Sequence, residues 1–129
     1  TGSYKDRTKF RLAETYLLLA EAYLRQNMPD KAADAVNEVR RRAKVADVSD
    51  DEMTMDYLLD ERIRELYGEE SRRFTLVRTG KLIERVKKYN PEARDLIQDF
   101  HVLWPIPQAV RDANTGEFPQ NPGYEGYEG

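Results

Sequence analysis

The sequence predicts an all-α protein with a tetratricopeptide-like helical hairpin, further packed helices and an irregular C-terminal tail. Two observations predict this class. Apolar residues recur at helical spacing through most of residues 10–100, whereas Pro, Gly and Asn cluster in the last part of the chain. Because 129 residues suit one core, we expect a single domain over residues 1–129. It would comprise a leader at 1–9, helices at 10–100 and an extended tail at 101–129.

The first predicted element is a helical hairpin. Its first helix spans Phe10 to Gln26 and has so narrow a polar stripe that we expect burial on most sides. Asn27 suits the left-handed residue after a helix, and Pro29 suits the first turn of the next helix, which runs to about Ala43. The apolar spacing is that of one tetratricopeptide unit. One unit cannot cover its own apolar face, so other parts of a chain must cover it.

Three further helical segments follow the hairpin. A third helix, capped by Thr54, is expected to reach Tyr67. A short helical stretch around 74–77 precedes a fourth helix at 82–89, which Asn90-Pro91 ends. Beyond them the chain is expected to be extended or turning.

Composition excludes several classes of function. The net charge is -3 with both signs interspersed, so no basic field is available for nucleic acid. The absence of cysteine removes disulfides, thiolate nucleophiles and cysteine-containing metal sites. No apolar run approaches the roughly 20 residues that span a bilayer, and no signal peptide is visible, so we expect any export signal to lie outside this chain.

An acidic cluster on and after the third helix is the first candidate for catalysis. It comprises Asp60, Glu61, Glu65, Glu69 and Glu70. Such carboxylates suit a glycosidase pair, but interleaved arginines are more typical of helix ion pairs. We therefore predict no enzyme and no catalytic residue. The expected partly buried network consists of Glu61, Glu65, Arg72 and Arg78.

Metal and cofactor sites are not predicted. His101 is the sole histidine, so no nitrogen shell can form around it, and we expect a packed or surface side chain. The acidic loop Asp47, Asp50, Asp51 and Glu52 resembles a calcium loop only superficially. Glu52 stands where the calcium loop needs Gly, and Leu58 stands where it needs a bidentate Glu.

Two remaining groups have a binding interpretation and a structural one. Arg40, Arg41, Arg42 and Lys44 suit phosphate or a lipid headgroup, but cations at a helix C-terminus also offset the helix dipole, which is the interpretation we favour.

The aromatic residues of the tail form the second group. Trp104, Tyr124 and Tyr127 suit stacking on sugar rings, although we expect Trp104 to be a core staple. The spacing of Gly123, Gly126 and Gly129 is not a phosphate loop, because no helix follows it.

Four stretches, in this order, resemble the C-terminal region of the SusD/RagB family of outer-membrane nutrient-binding lipoproteins. They are the segment from Arg11 to Ala22; Ala33 to Ala43; Asp60 to Leu82 with its Glu, Arg and Thr-Gly-Lys residues; and Leu103-Trp-Pro-Ile-Pro107 with Gln120-Asn-Pro-Gly-Tyr124. Two departures are Arg73, where the family often has an aromatic residue, and Thr75, where it often has Asp. They bear on local packing.

The resemblance implies a non-catalytic glycan-binding or nutrient-binding subunit, of which this chain is mainly the helical scaffold. It implies a surface-exposed place at the cell outer membrane, a TonB-dependent, SusC-like transporter as partner, and membrane contact only through a lipid anchor outside this chain. No cofactor is implied. The family's ligand contacts vary with substrate, so no ligand-binding residue is assigned.

Two other functions remain open. The hairpin pattern between Tyr16 and Val39 also suits a tetratricopeptide-like protein–protein interaction scaffold that holds a peptide in its groove. The weaker alternative is a glycosidase that uses Glu65 and Glu69.

Overall fold

The computed structural model describes residues 10–127, and no strand occurs among them. Their helices are α1 (Leu12–Arg25), α2 (Pro29–Arg42), α3 (Met55–Glu65), α4 (Arg72–Arg78), α5 (Leu82–Tyr89) and α6 (Gln108–Asp112), with a 3-10 turn at Asp99–Val102. The all-α prediction is confirmed. The predicted leader at 1–9 and Gly129 lie outside the described residues.

The chain forms two compact units, the first ending at Glu70 and the second beginning at Ser71. The single domain expected over residues 1–129 stays a prediction.

The loop of the α1–α2 hairpin follows the signals in the sequence. Asn27 adopts a φ of 58°, the left-handed conformation that ends α1, and Pro29 occupies the first turn of α2. Helix α1 begins two residues later than predicted, at Leu12, and ends at Arg25.

The apolar core of the first unit lies between α1, α2 and α3. Leu17 and Ala20 of α1, Val36 of α2 and Leu58 of α3 have no exposed surface. Alanines on α2 leave room for the close approach of α1, because their side chains end at Cβ. They are Ala32, Ala33 and Ala35.

Helix α1 is buried on one face only. Ala13, Leu17, Ala20 and Glu21 recur at helical spacing and are buried. On the other side, Leu12, Leu18 and Leu19 are 66%, 43% and 41% exposed. The expectation that α1 is buried on most sides is therefore wrong for the structure described, because α2 and α3 cover a single stripe of it.

The third helix begins as predicted and ends earlier. The hydroxyl of Thr54 accepts a hydrogen bond from the backbone N–H of Tyr57 at 3.2 Å, which caps α3. The helix ends at Glu65 and not at Tyr67, and the chain then turns through Gly68, whose φ is 75°.

In the second unit, α4 and α5 match the predicted short stretch and fourth helix. Helix α5 ends at Tyr89, and Asn90 follows it. The side-chain oxygen of Asn90 stabilises the next turn, because it accepts hydrogen bonds from the backbone N–H groups of Glu92 and Ala93, both at 3.1 Å.

The predicted extended tail contains one helix, α6, which corrects the expectation for 101–129. Pro107 precedes the helix and has a fixed φ, which lowers the cost of starting a turn. Gln108 and Asp112, four residues apart, join their side chains at 2.6 Å, and this pairing supports the turn.

Trp104 is 60% exposed, so the expectation of a core staple is wrong. The Arg73 guanidinium lies 4.9 Å from the centroid of its ring. The backbone beside Trp104 is nevertheless fixed, because Asn121 donates to its carbonyl at 2.7 Å and the Tyr124 hydroxyl donates to the carbonyl of Leu103 at 2.9 Å. A unit of this size has too high a ratio of surface to volume to bury every large side chain.

Candidate functional site

The most highly connected polar site lies where the end of α2 faces α3, in the first unit. Glu61 and Glu65 are four residues apart on α3 and therefore point from the same face. Glu61 is 5% exposed and accepts from Arg40 at 2.8 Å and from Arg64 at 2.7 Å. A buried carboxylate with two guanidinium partners fixes the distance between the helices.

Glu65 continues the network in the direction of α1. Arg42 donates to both of its carboxylate oxygens, at 2.6 and 2.8 Å. Arg11, which precedes α1, donates to the side chain of Glu65 and also to that of Glu69. The hydrogen bond to Glu69, and then that to Glu65, raises the pKa of the Arg11 guanidinium above its ordinary value.

These contacts confirm the predicted role of Glu61 and Glu65 in a partly buried network. The arginines that bond to them in the first unit are Arg11, Arg40, Arg42 and Arg64. The other two predicted members, Arg72 and Arg78, belong to α4 in the second unit, and their place in the network stays a prediction.

A second ion pair is more deeply buried. The side chains of Arg62 and Glu70 are 2% and 4% exposed, and two guanidinium nitrogens reach the same carboxylate oxygen at 2.9 and 2.6 Å. This pair ties α3 to the turn that follows it. Both acidic groups proposed for catalysis in the weakest alternative, Glu65 and Glu69, are likewise held by arginine.

The three arginines of the basic run, at the end of α2, are ion-paired. Arg40 and Arg42 bond to Glu61 and Glu65, and Arg41 bonds to Asp47 at 2.6 Å. The hydrogen bond to Asp47 raises the pKa of Arg41. The residues lie in the last turn of α2, as the helix-dipole interpretation requires.

Two residues of the acidic loop pair with side chains close to them in the sequence. Asp47 forms an ion pair with Arg41, and the Glu52 carboxylate accepts a hydrogen bond from the hydroxyl of Ser49 at 2.7 Å. Within residues 10–127, no group of three or more acidic or histidine side chains is placed to hold a metal ion.

His101 is a packed residue, as predicted. Its ring lies 4.2 Å from that of Phe100, and its Nδ1 accepts from the backbone N–H of Gln98 at 2.8 Å, closing a capping box on the 3-10 turn. Tyr124 meets Phe100 edge-on, at a centroid distance of 5.0 Å. Of the three aromatic residues suggested for sugar stacking, Trp104 and Tyr127 are the more exposed.

A shallow groove runs along the α1–α2 hairpin. It has a volume of about 250 Å³ and is lined by Tyr16, Leu19 and Tyr23 of α1 and by Lys31, Asp34, Ala35 and Glu38 of α2. This groove is the place where the peptide of the tetratricopeptide alternative would lie. The tetratricopeptide detail itself stays a prediction.

Sequence reasoning missed three residues that bond to distant parts of the chain, Arg11 and Asn37 in the first unit and Gln120 in the second. Arg11 has no distinguishing signal in the sequence, because Lys5, Arg7 and Lys9 also precede the helix. Asn37, buried on α2, exchanges two hydrogen bonds with the backbone of Val48, at 3.0 and 2.8 Å. Gln120 does the same with Ile106, at 2.7 and 2.9 Å. A polar amide at a buried register position is the available signal for Asn37.

Together these features define a class of protein: a helical scaffold whose helices are joined by arginine–carboxylate networks. Comparison with known proteins identifies the family. The profile of the SusD family matches residues 1–124, and the chain belongs to that family.

Three curated relatives indicate how much of a family member this chain represents. It is 36% identical over 129 residues to the starch-binding protein SusD of Bacteroides thetaiotaomicron, covering 93% of this chain and 22% of the relative. It is 34% identical over 113 residues to SusD-like protein P25 of Formosa agariphila, covering 79% of this chain and 21% of the relative. For SusD-like protein P38 of the same organism the values are 32% over 108 residues, 75% and 20%. The chain thus spans about a fifth of the length of these relatives.

No solved structure matches the chain significantly. None of the helices within residues 10–127 has both the length and the apolar character needed to cross a bilayer.

Proposed function

We propose that this chain is the helical scaffold of a non-catalytic glycan-binding or nutrient-binding subunit of an outer-membrane uptake system. The observation that carries the proposal is the match to the SusD family over residues 1–124, with 36% identity to a starch-binding member. The network at Glu61 and Glu65 supports it, because carboxylates that hold arginines join helices and leave no evident acid–base pair.

The proposal includes a partner and a location. The subunit is lipid-anchored at the cell surface, where it holds its ligand above a TonB-dependent, SusC-like transporter. In this arrangement the described helices provide the scaffold. The partner and the location rest on the family resemblance.

Purification from membranes tests the proposal. The intact protein, tagged and extracted with detergent from outer membranes, is expected to carry a TonB-dependent transporter with it, and protease added to whole cells is expected to cleave it. Recovery from the soluble cell fraction, without a transporter, would contradict the proposal. An abundant outer-membrane protein of another class, tagged in the same way, is the control for nonspecific co-purification.

The hairpin groove favours a second candidate, a peptide-binding scaffold. The groove lining has two carboxylates, Asp34 and Glu38, and one cation, Lys31, beside two tyrosines, and this net negative charge favours a basic, extended peptide. In that case a lysine-rich peptide binds the protein, and Asp34→Asn with Glu38→Gln weakens binding. Asp50→Asn with Asp51→Asn, in the exposed acidic loop, is the charge-matched control. Equal affinity in both double variants would remove this candidate.

A further inference from the structure

The side chain of His101 makes a hydrogen bond that only its neutral form can make. Its Nδ1 accepts from the backbone N–H of Gln98 at 2.8 Å. An imidazole nitrogen accepts a hydrogen bond only when it carries no proton, so the proton of the neutral ring is on Nε2. A protonated ring has an N–H at both nitrogens and accepts at neither. The hydrogen bond from Gln98 is therefore lost when His101 takes up a proton.

This hydrogen bond is half of the capping box of the 3-10 turn. Gln98 precedes the turn and His101 is its third residue, so each side chain satisfies a backbone N–H of the other residue. The turn has only four residues, Asp99–Val102, and none of them is buried. A short turn with little packing depends on its caps, so loss of the Nδ1 acceptor favours opening of the turn.

The 3-10 turn also positions the ring of Trp104. The guanidinium of Arg73 donates to the backbone carbonyl of His101 and, at 3.3 Å, to that of Leu103. The same guanidinium lies 4.9 Å from the centroid of the Trp104 ring. Both carbonyls move when the turn opens, so the contact between Arg73 and Trp104 depends on the closed turn. All of these residues belong to the second unit.

The carboxylates around the turn are poorly placed to stabilise a protonated His101. Those on the segments next to the turn are all exposed, and solvent screens them. They are Glu84 of α5, Glu92 and Asp95 before the turn, Asp99 in the turn and Glu125 in the tail.

The cations around the turn act against protonation. Arg73 and His101 line one cavity of about 230 Å³, and its other lining residues are apolar: Ala93, Leu96 and Ile97. A positive charge on the imidazole would share this cavity with the guanidinium, which disfavours the charged ring. Further cations on the neighbouring segments are Arg85, Lys87 and Lys88 of α5, which packs against the turn, and Arg94. The tail contributes the phenol of Tyr124, whose ring lies 6.2 Å from that of His101.

We propose that His101 is a pH-sensitive switch that closes the 3-10 turn when neutral and, when protonated, opens it and releases the Trp104 ring from Arg73. The closed turn holds the neutral ring, so the open turn takes up more protons and acid favours it. Histidine changes charge between roughly pH 5 and 8, so we expect the turn to be closed at about pH 7.5 and to open toward about pH 5. The inference goes beyond the proposed function and does not depend on it.

Fluorine NMR of the Trp104 ring tests the inference in the intact protein. The protein is labelled with 5-fluorotryptophan, and the resonance that disappears in the Trp104→Phe variant is that of Trp104. We expect this resonance to shift between about pH 7.5 and about pH 5, because the ring loses its contact with the Arg73 guanidinium.

Two replacements of His101 are expected to fix the turn in each of its states. Glutamine at the third helical position completes an ordinary capping box and does not titrate, so His101→Gln is expected to keep the neutral-pH resonance at both pH values. His101→Ala has no acceptor for the N–H of Gln98, and its resonance is expected at the acid position already at about pH 7.5. Asp99→Asn is the matched control. It removes the other titratable side chain of the turn and is expected to leave the pH response unchanged.

Any one of three results would overturn the inference. The first is a Trp104 resonance that does not move with pH in the wild type, a result that needs no replacement of His101. The second is a pH response that persists in His101→Gln. The third is a pH response that is lost in Asp99→Asn. A protein that binds a glycan and gives one of these results loses this inference alone and keeps the proposed function.

Discussion

At the scale of single residues, two buried amides fix irregular backbone segments. Asn37 and Gln120 are 5% and 7% exposed, and each both donates to and accepts from one backbone residue far along the chain. The paired hydrogen bonds resemble those between neighbouring strands, although none of the four residues lies in a strand. They explain why the Gln120-Asn-Pro-Gly-Tyr124 motif accompanies the Trp-Pro-Ile-Pro motif, since the first clamps the backbone of the second.

Replacement of Asn37 tests this role. Asn37→Ala leaves the N–H and carbonyl of Val48 without partners, and we expect it to lower the free energy of unfolding by about 2–3 kcal/mol. Asp34→Ala, an exposed position on the same helix, is expected to stay within about 0.5 kcal/mol of the wild type. Urea denaturation followed by circular dichroism measures both. Equal effects of the two replacements would show that the hydrogen bonds of Asn37 to Val48 do not stabilise the fold.

The backbone at Gly123 supports a second prediction. Its φ is 86°, and a Cβ there would lie 2.3 Å from the Phe100 ring. Gly123→Ala is therefore expected to cost more than about 1 kcal/mol, because a left-handed alanine is strained and Phe100 must also move. Gly116→Ala is the control, since a Cβ at that position meets nothing within 4 Å. Thermal unfolding of the two variants distinguishes them. A Gly123→Ala variant as stable as Gly116→Ala would contradict the described packing.

The sequence predicted the residues whose effect is local. Asn27, Pro29 and Thr54 act on backbone within three residues of themselves, so their side-chain chemistry alone indicates a helix end or start. Asn37 and Gln120 act on backbone 11 and 14 residues away, and only the folded chain brings these partners together.

At the scale of elements, ion pairs and packing join α1, α2 and α3. The alternation of acidic and basic residues on α3 predicted that Glu61 and Glu65 would be paired. It did not identify Arg11, Arg40 or Arg42, because these lie on other segments of the chain. Helical periodicity shows which residues share one face of a helix. Which segment packs against that face depends on how the hairpin folds.

The buried pair of Arg62 and Glu70 gives the sharpest test at this scale. Glu70→Ala leaves a buried guanidinium without this carboxylate, and we expect a loss of about 3–5 kcal/mol. The double variant Arg62→Met, Glu70→Leu removes both charges and is expected to be more stable than Glu70→Ala alone. Guanidinium chloride denaturation provides the values. A double variant less stable than the single one would contradict a desolvation cost at this pair.

A surface pair is the control for that experiment. Lys81 and Glu84 bond at 2.8 Å, and the Glu84 side chain is 55% exposed. Glu84→Ala is expected to change stability by less than about 1 kcal/mol, because solvent screens the pair.

At the scale of the whole molecule, the all-α class and the helix order were predictable, because periodicity and turn residues repeat over most of the chain. The degree of burial was not. Leu12, Leu18, Leu19 and Trp104 are apolar or aromatic, yet the helices described here cover none of them fully. Hydrophobicity indicates that a residue favours burial, but the partner that buries it is a property of the assembled protein.

The proposed function requires that the whole protein binds a glycan without cleaving it. The measurement that tests it most directly is titration of the intact protein with starch-type and acidic polysaccharides, combined with an assay for new reducing ends. We expect saturable binding of at least one polysaccharide and unchanged polysaccharide length. Release of reducing ends that disappears in the Glu65→Gln, Glu69→Gln double variant would contradict the proposed function.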